Sequence, residues 1–165
     1  MHNQQAIAKE LWMANALLFG FCIGAVAAFA AAGGLWMDGH GLSNRTLTIV
    51  VTFLVTGIVA GSLAWALAMR LSSQGAWRCF AMFTITVLLL IGFGAVFFYL
   101  VHLWGHPEPV APLTSKLGLH QRFFGFVGST YFFRLFGLNL LWPWGYLMML
   151  ALCWLIPRWV ERHRR

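Results

Sequence analysis

Residues 16–36 read "ALLFGFCIGAVAAFAAAGGLW". No charged side chain interrupts them, and Ala16, Gly20, Gly24, Ala28 and Ala32 recur at every fourth position. The charge-free run extends from 11 to 37, longer than the ~20 apolar residues a helix needs to cross the hydrocarbon layer. Small residues at this spacing let helix backbones approach closely in lipid, where no hydrophobic effect drives helices together. The segment "AVAAFAAAGG" resembles the small-residue end of a cleaved signal peptide. Such a peptide, however, has a basic start and an apolar stretch of only ~7–15 residues. Here Lys9 is balanced by Glu10 and the apolar run is longer, so a retained span is expected.

Three more charge-free runs follow, at 46–69, 79–107 and 135–157. Spans are therefore expected near 12–36, 47–69, 79–103 and 138–157, giving one membrane domain over 1–165. The fold class expected is an all-α integral membrane protein, a four-transmembrane-helix bundle. Composition agrees: 61 % of residues are hydrophobic and 9 % charged, against about 25 % charged in soluble domains.

The net charge of +7 does not point to nucleic acid. The eleven Lys and Arg mark the ends of apolar runs and form no separate basic domain. With both termini inside, Lys9, Arg70, Arg78, Arg158, Arg162, Arg164 and Arg165 face the cytoplasm, and Arg45, Lys116, Arg122 and Arg134 face out. That bias predicts both termini on the cytoplasmic side, and the Ala, Trp and Arg usage with the compact loops suggests a bacterial inner membrane. Trp12, Trp36, Trp77, Trp104, Trp142, Trp144 and Trp159 fall near span ends, where amphipathic rings favour the headgroup level.

Within the spans, Gly57 and Gly61 continue the small-residue theme, flanked by a neighbouring row of Ala60, Ala64 and Ala68. The third span has only Gly92, Gly94 and Ala95. Gly20, Gly24, Ala28, Gly57 and Gly61 are thus the expected helix-packing residues. The polar residues Thr48, Thr52, Thr56, Ser62, Thr84 and Thr86 can bond to their own helix. No acid or base sits deep in a span, which disfavours an autonomous proton-coupled transporter. Cys22, Cys79 and Cys153 lie in or beside apolar runs and are expected as small buried hydrophobes.

The longest connection, 104–137, opens with Pro107, Pro109 and Pro112 and continues as "GLHQRFFGFVGSTYFFRLFGL". A fifth span there would bury Arg134. The stretch is expected to be a Phe-rich interfacial helix, or a re-entrant segment against the bundle.

Histidines offer the only cofactor chemistry. His102 and His106 are four apart, which on a continuous helix would place them on one face. Pro107 disfavours helical geometry at His106, so the helix is expected to end near Leu103 or Trp104. The topology still gathers His40, His102, His106 and His120 outside with Asp38 and Glu108, a set able to supply Zn or Cu ligands. Unrelated loop residues are the plainer expectation, and no metal is assigned. A haem could only be shared with another protein, because His102 alone lies near a span. Neither a H-E-x-x-H nor a G-x-S-x-G motif is present, and no catalytic residue is assigned.

The function expected is that of a non-catalytic subunit, assembly factor or accessory component of a larger membrane complex. It would contact lipid and other membrane proteins, or itself. Two alternatives stand beside it: a small homo-oligomeric transporter or channel, and a redox or metal-handling protein using the outer histidines.

Overall fold

Apolar sequence without water leaves the backbone one way to satisfy its N–H and C=O groups within a segment, the helix. The structure, a computed structural model, describes residues 2–41, 43–71, 75–105, 112 and 114–163. Among them all regular structure is helical. The long helices are α1 (His2–Met37), α2 (Asn44–Leu71) and α3 (Gly75–Gly105). Then come α4 (Lys116–Phe132), a π-helical turn (Phe133–Gly137), the single turn α5 (Leu138–Leu140) and α6 (Trp144–His163).

Three segments, Glu10–Met37, Asn44–Arg70 and Trp77–Val101, are long and apolar enough to cross a membrane. The first two contain the expected spans 12–36 and 47–69, and the third covers 79–103 as far as Val101. The fourth differs. Residues 138–157 do not form one helix, because the chain turns at 141–143 around Pro143. A proline cannot donate the next helical hydrogen bond. The helices on the two sides of that turn, Lys116–Leu140 and Trp144–Arg162, are inclined at 82°. They are apolar enough to cross only when taken together, so three to four crossings fit the chain. Helix α6 also runs past residue 157, with Pro157 inside it.

The tightest helix contact is between α1 and α2, and glycine makes it possible. A Cβ built on Gly24 would stand 2.6 Å from the Leu54 carbonyl oxygen, and one on Gly57 2.6 Å from the Gly24 Cα. A Cβ on Gly61 would stand 2.9 Å from the Gly20 Cα. The two glycine pairs therefore face each other across the seam, Gly20 against Gly61 and Gly24 against Gly57, and the helices run antiparallel. Further along α1 the buried row shifts. Ala27 and Ala31 are fully buried, whereas Ala28 and Ala32 are only half-buried. Four residues turn a helix by about 400°, so a strict four-residue row drifts about 40° per step around the cylinder.

Opposite the seam, α2 presents Leu47, Val51, Val55, Val59, Leu63 and Leu67, all exposed. Such an outward apolar row is what lipid accepts and water does not. The threonines between do not disturb it. The hydroxyl of Thr52 donates to the Thr48 carbonyl at 2.7 Å, and that of Thr56 to the Thr52 carbonyl at 2.6 Å.

Helix α6 lies against α1 and α3. At one end a Cβ on Gly145 would meet Ala30 of α1 at 3.0 Å. At the other, Arg78 of α3 forms an ion pair with Glu161. These two contacts fix α6 as antiparallel to both neighbours over its length. The core threads through α1, α2, α3 and α6, from Phe19, Ile23, Phe53 and Trp65 to Met82, Leu90, Met149 and Cys153.

Candidate functional site

Helix α4 begins where Ser115, in an extended conformation, accepts a hydrogen bond from the Gly118 amide at 3.0 Å. Serine is a strong N-cap because its hydroxyl satisfies an amide that has no partner in the first turn. From there the helix runs along the outside of the bundle and touches α3 almost alone among the long helices. Tyr99 of α3 meets it, with its ring edge-on to Phe126 at 6.2 Å between centroids and against Gly125.

One side chain pins the far end. Phe133 is 3 % exposed and opens the π-helical turn. Its ring fills the space over Gly94 of α3, where any Cβ would collide with it, and stacks on Phe53 of α2 at 5.4 Å. The extra residue in a π turn re-aims side chains relative to an α-helix, and here it marks the place where the aromatic segment enters the core. Gly94 serves as the notch. Gly92, two residues away, has open space beside it.

The rest of this segment faces outward. Leu117, Leu119, Phe123, Phe124, Val127, Tyr131 and Phe132 are all exposed, as is Arg134. An aromatic surface of this extent is the most distinctive feature of the molecule. On monomeric soluble proteins contiguous apolar patches larger than a few hundred Å² mark contacts with protein or membrane.

The histidines are not brought into one site among the described residues. His40 is exposed in the turn after α1, next to Gly39, whose φ is +76°. His120 is exposed on α4, its ring 5.4 Å from that of Phe124. His102 lies in the last turns of α3, which continues to Gly105, but its side chain is outside the described residues, as are His106 and Glu108. No group of three or more His, Cys, Asp or Glu able to hold a metal occurs among the described residues.

A cluster that the spacing of the sequence does not announce lies at the other end of the bundle. Arg78, Cys79, Cys153, Trp154, Pro157, Arg158 and Glu161 line a small cavity of about 60 Å³ between α3 and α6. The cysteines are free thiols. Seventy-four positions apart in sequence, they meet only because α6 is antiparallel to α3. A larger groove of about 500 Å³ opens between α1 and α6.

The chain matches no protein-family model, no curated protein and no solved structure.

Proposed function

We propose that this chain is a non-catalytic, multi-pass subunit, assembly factor or accessory component of a larger membrane complex, and that α4 with its π-helical turn is the surface that meets the partner. One observation carries the reading. The aromatic segment is pinned to the bundle through Phe133 and Tyr99 yet leaves Phe123, Phe124, Tyr131 and Phe132 outward. Outward rings suit lipid as well as the apolar face of another protein, and the partner is what the proposal adds.

The proposal includes four crossings of a bacterial inner membrane with both termini in the cytoplasm. The antiparallel run of α6 along α1 and α3 supports the fourth crossing. Charge supports the orientation, since Arg70, Arg78, Arg158 and Arg162 stand at the helix ends on one side. With α6 across the bilayer, the 82° bend lays α4 close to the membrane plane. Gly94, its anchor, is seven residues inside the Val101 end of the third span, about 10 Å deep at 1.5 Å per residue. Helix α4 then slants from the headgroups at Lys116 into the outer leaflet at Phe133, a depth interfacial helices reach.

A homo-oligomeric channel joined through the glycine rows is a weaker reading. Those rows are already filled by each other within one chain, and a second copy would first have to open the α1–α2 seam.

The deciding experiment is the native mass of the assembly extracted in a mild detergent. We expect a mass that requires other polypeptides besides the 18.5 kDa chain. The extra mass should disappear when Phe123, Phe124 and Tyr131 are replaced together by Ser. A mass equal to whole copies of the chain would refute the reading.

A further inference from the structure

The groove between α1 and α6 has two unlike parts. Its walls are two four-residue rows, Leu18 and Cys22 on α1, and Trp154, Arg158 and Arg162 on α6. The wall toward the middle of the bundle is apolar. The mouth toward the C-terminal end of α6 carries two guanidinium groups one turn apart. Arg158 is held with its guanidinium carbon 3.8 Å from the centroid of the Trp154 ring. A guanidinium resting on an indole is restrained in place while its N–H groups radiate from the rim of the plane. The nearest acid, Glu161, is engaged by Arg78 of α3. The other acid on these helices is Glu10; counted from the Gly145–Ala30 contact it lies about 5 Å along the axis from the level of Arg162, yet the two form no ion pair. Among the described residues neither Arg158 nor Arg162 is in an ion pair.

We propose that this groove binds one anionic phospholipid, with the phosphodiester held by Arg158 and Arg162 and an acyl chain lying against Leu18, Cys22 and Leu155. Charge complementarity selects the occupant. Two cations at one headgroup, Arg158 restrained on Trp154 and Arg162 one turn on, favour a lipid whose net charge is negative and repel the ammonium of a zwitterionic one. Arginine pairs with phosphate through two parallel N–H donors, a geometry a point charge cannot offer. Basic recesses between membrane helices suit such headgroups, and a volume of about 500 Å³ lies within the ~300–1,000 Å³ of small-molecule sites. Position matters as well. Trp159 beside the arginines is a side chain that favours the headgroup level. The outward row of α2, by contrast, is a plain apolar stripe without a cation and calls for no particular lipid.

The inference rests on the reading that α6 crosses the bilayer. The test uses the full chain, purified in a mild detergent and offered equal amounts of phosphatidylglycerol and phosphatidylethanolamine of the same chain length. Retained lipid is weighed by native mass spectrometry. At about fivefold per arginine near a headgroup, phosphatidylglycerol should be preferred by about 25-fold. Arg158→Gln with Arg162→Gln should bring the ratio close to one, and Arg45→Gln with Arg70→Gln should leave it unchanged. Leu18→Trp, which fills the groove and keeps both arginines, should remove the adduct, and it decides the matter if the arginine variant fails to fold. Equal retention by the wild type, or full preference in both groove variants, would overturn the proposal.

A separate labelling experiment distinguishes the two readings. Leu150→Cys, on the exposed side of α6 in a chain with its three native cysteines replaced by Ala, should resist a water-soluble maleimide in vesicles. Labelling there would defeat both readings. Protection without lipid preference would defeat the lipid site alone.

Discussion

Gly24→Ala adds a single methyl group, and the structure says where it must go. The new Cβ would stand 2.6 Å from the Leu54 carbonyl oxygen, 2.7 Å from Ile58 Cγ1 and 3.0 Å from the Ile58 amide nitrogen. Two of those three atoms are backbone and cannot swing aside. To reach ordinary van der Waals contact near 3.4 Å, α2 must retreat by about 0.8 Å, a gap that forfeits a quarter to a half of each dispersion contact along the seam. Overpacking of this kind costs about 1–3 kcal/mol, while exchanging Gly for Ala within a helix returns about 0.8–1.0 kcal/mol. The net expectation is a loss of about 0–2 kcal/mol. Gly33→Ala on the same helix is the control, because a Cβ there meets nothing within 4 Å. It should stabilise by up to about 1 kcal/mol. Gly57→Ala presses on the Gly24 Cα at 2.6 Å, so the double variant should cost clearly less than the two singles added, since one retreat relieves both collisions. The assay is reversible unfolding in mixed micelles with increasing SDS, followed by helicity. Equal effects at Gly24 and Gly33, or strict additivity of Gly24 and Gly57, would refute a glycine seam.

Phe133→Ala removes a ring buried between Gly94 and Phe53 and should cost about 3–5 kcal/mol in the same assay; amide exchange over 116–140 should rise before it rises in α1 and α2. Ser62→Ala should be neutral or stabilising by about 1 kcal/mol, because the Ser62 hydroxyl is buried without a hydrogen-bond partner among the described residues, and deleting an unpaired polar group removes a desolvation penalty. A marked loss of stability would mean that this hydroxyl has a partner.

The three long helices were readable because lipid imposes a simple rule, about 20 apolar residues without charge, and the chain keeps it at 12–36, 47–69 and 79–103. The glycine rows were visible too, though which glycine faces which partner depends on helix phase and direction, and those are properties of packing. Residues 138–157 passed the same composition test without forming one helix. Hydropathy does not register the turn at 141–143 that separates α5 from α6. Within 104–137 the sequence showed a Phe-rich segment and left its pose open. What anchors it is a cavity over Gly94, and a cavity has no signature in a string of letters. The same holds for the groove at Arg158 and Arg162. In sequence these are two cations after a span. Only the position of α1 beside them makes a recess.

The α1–α2 seam has a consequence for the order of assembly. Its partners are neighbours in the chain, and closing it needs only the turn between Met37 and Asn44. Contacts between sequence neighbours form early because little loop entropy opposes them. This hairpin can therefore close while the rest of the chain is still being made, and α3 then joins it. Helix α6, which must find its place between α1 and α3, comes last. On the reading that α6 crosses the bilayer, the far sides of α1 and α3 stay open to lipid until it arrives, and the final step in building the bundle is then the displacement of lipid molecules from a slot.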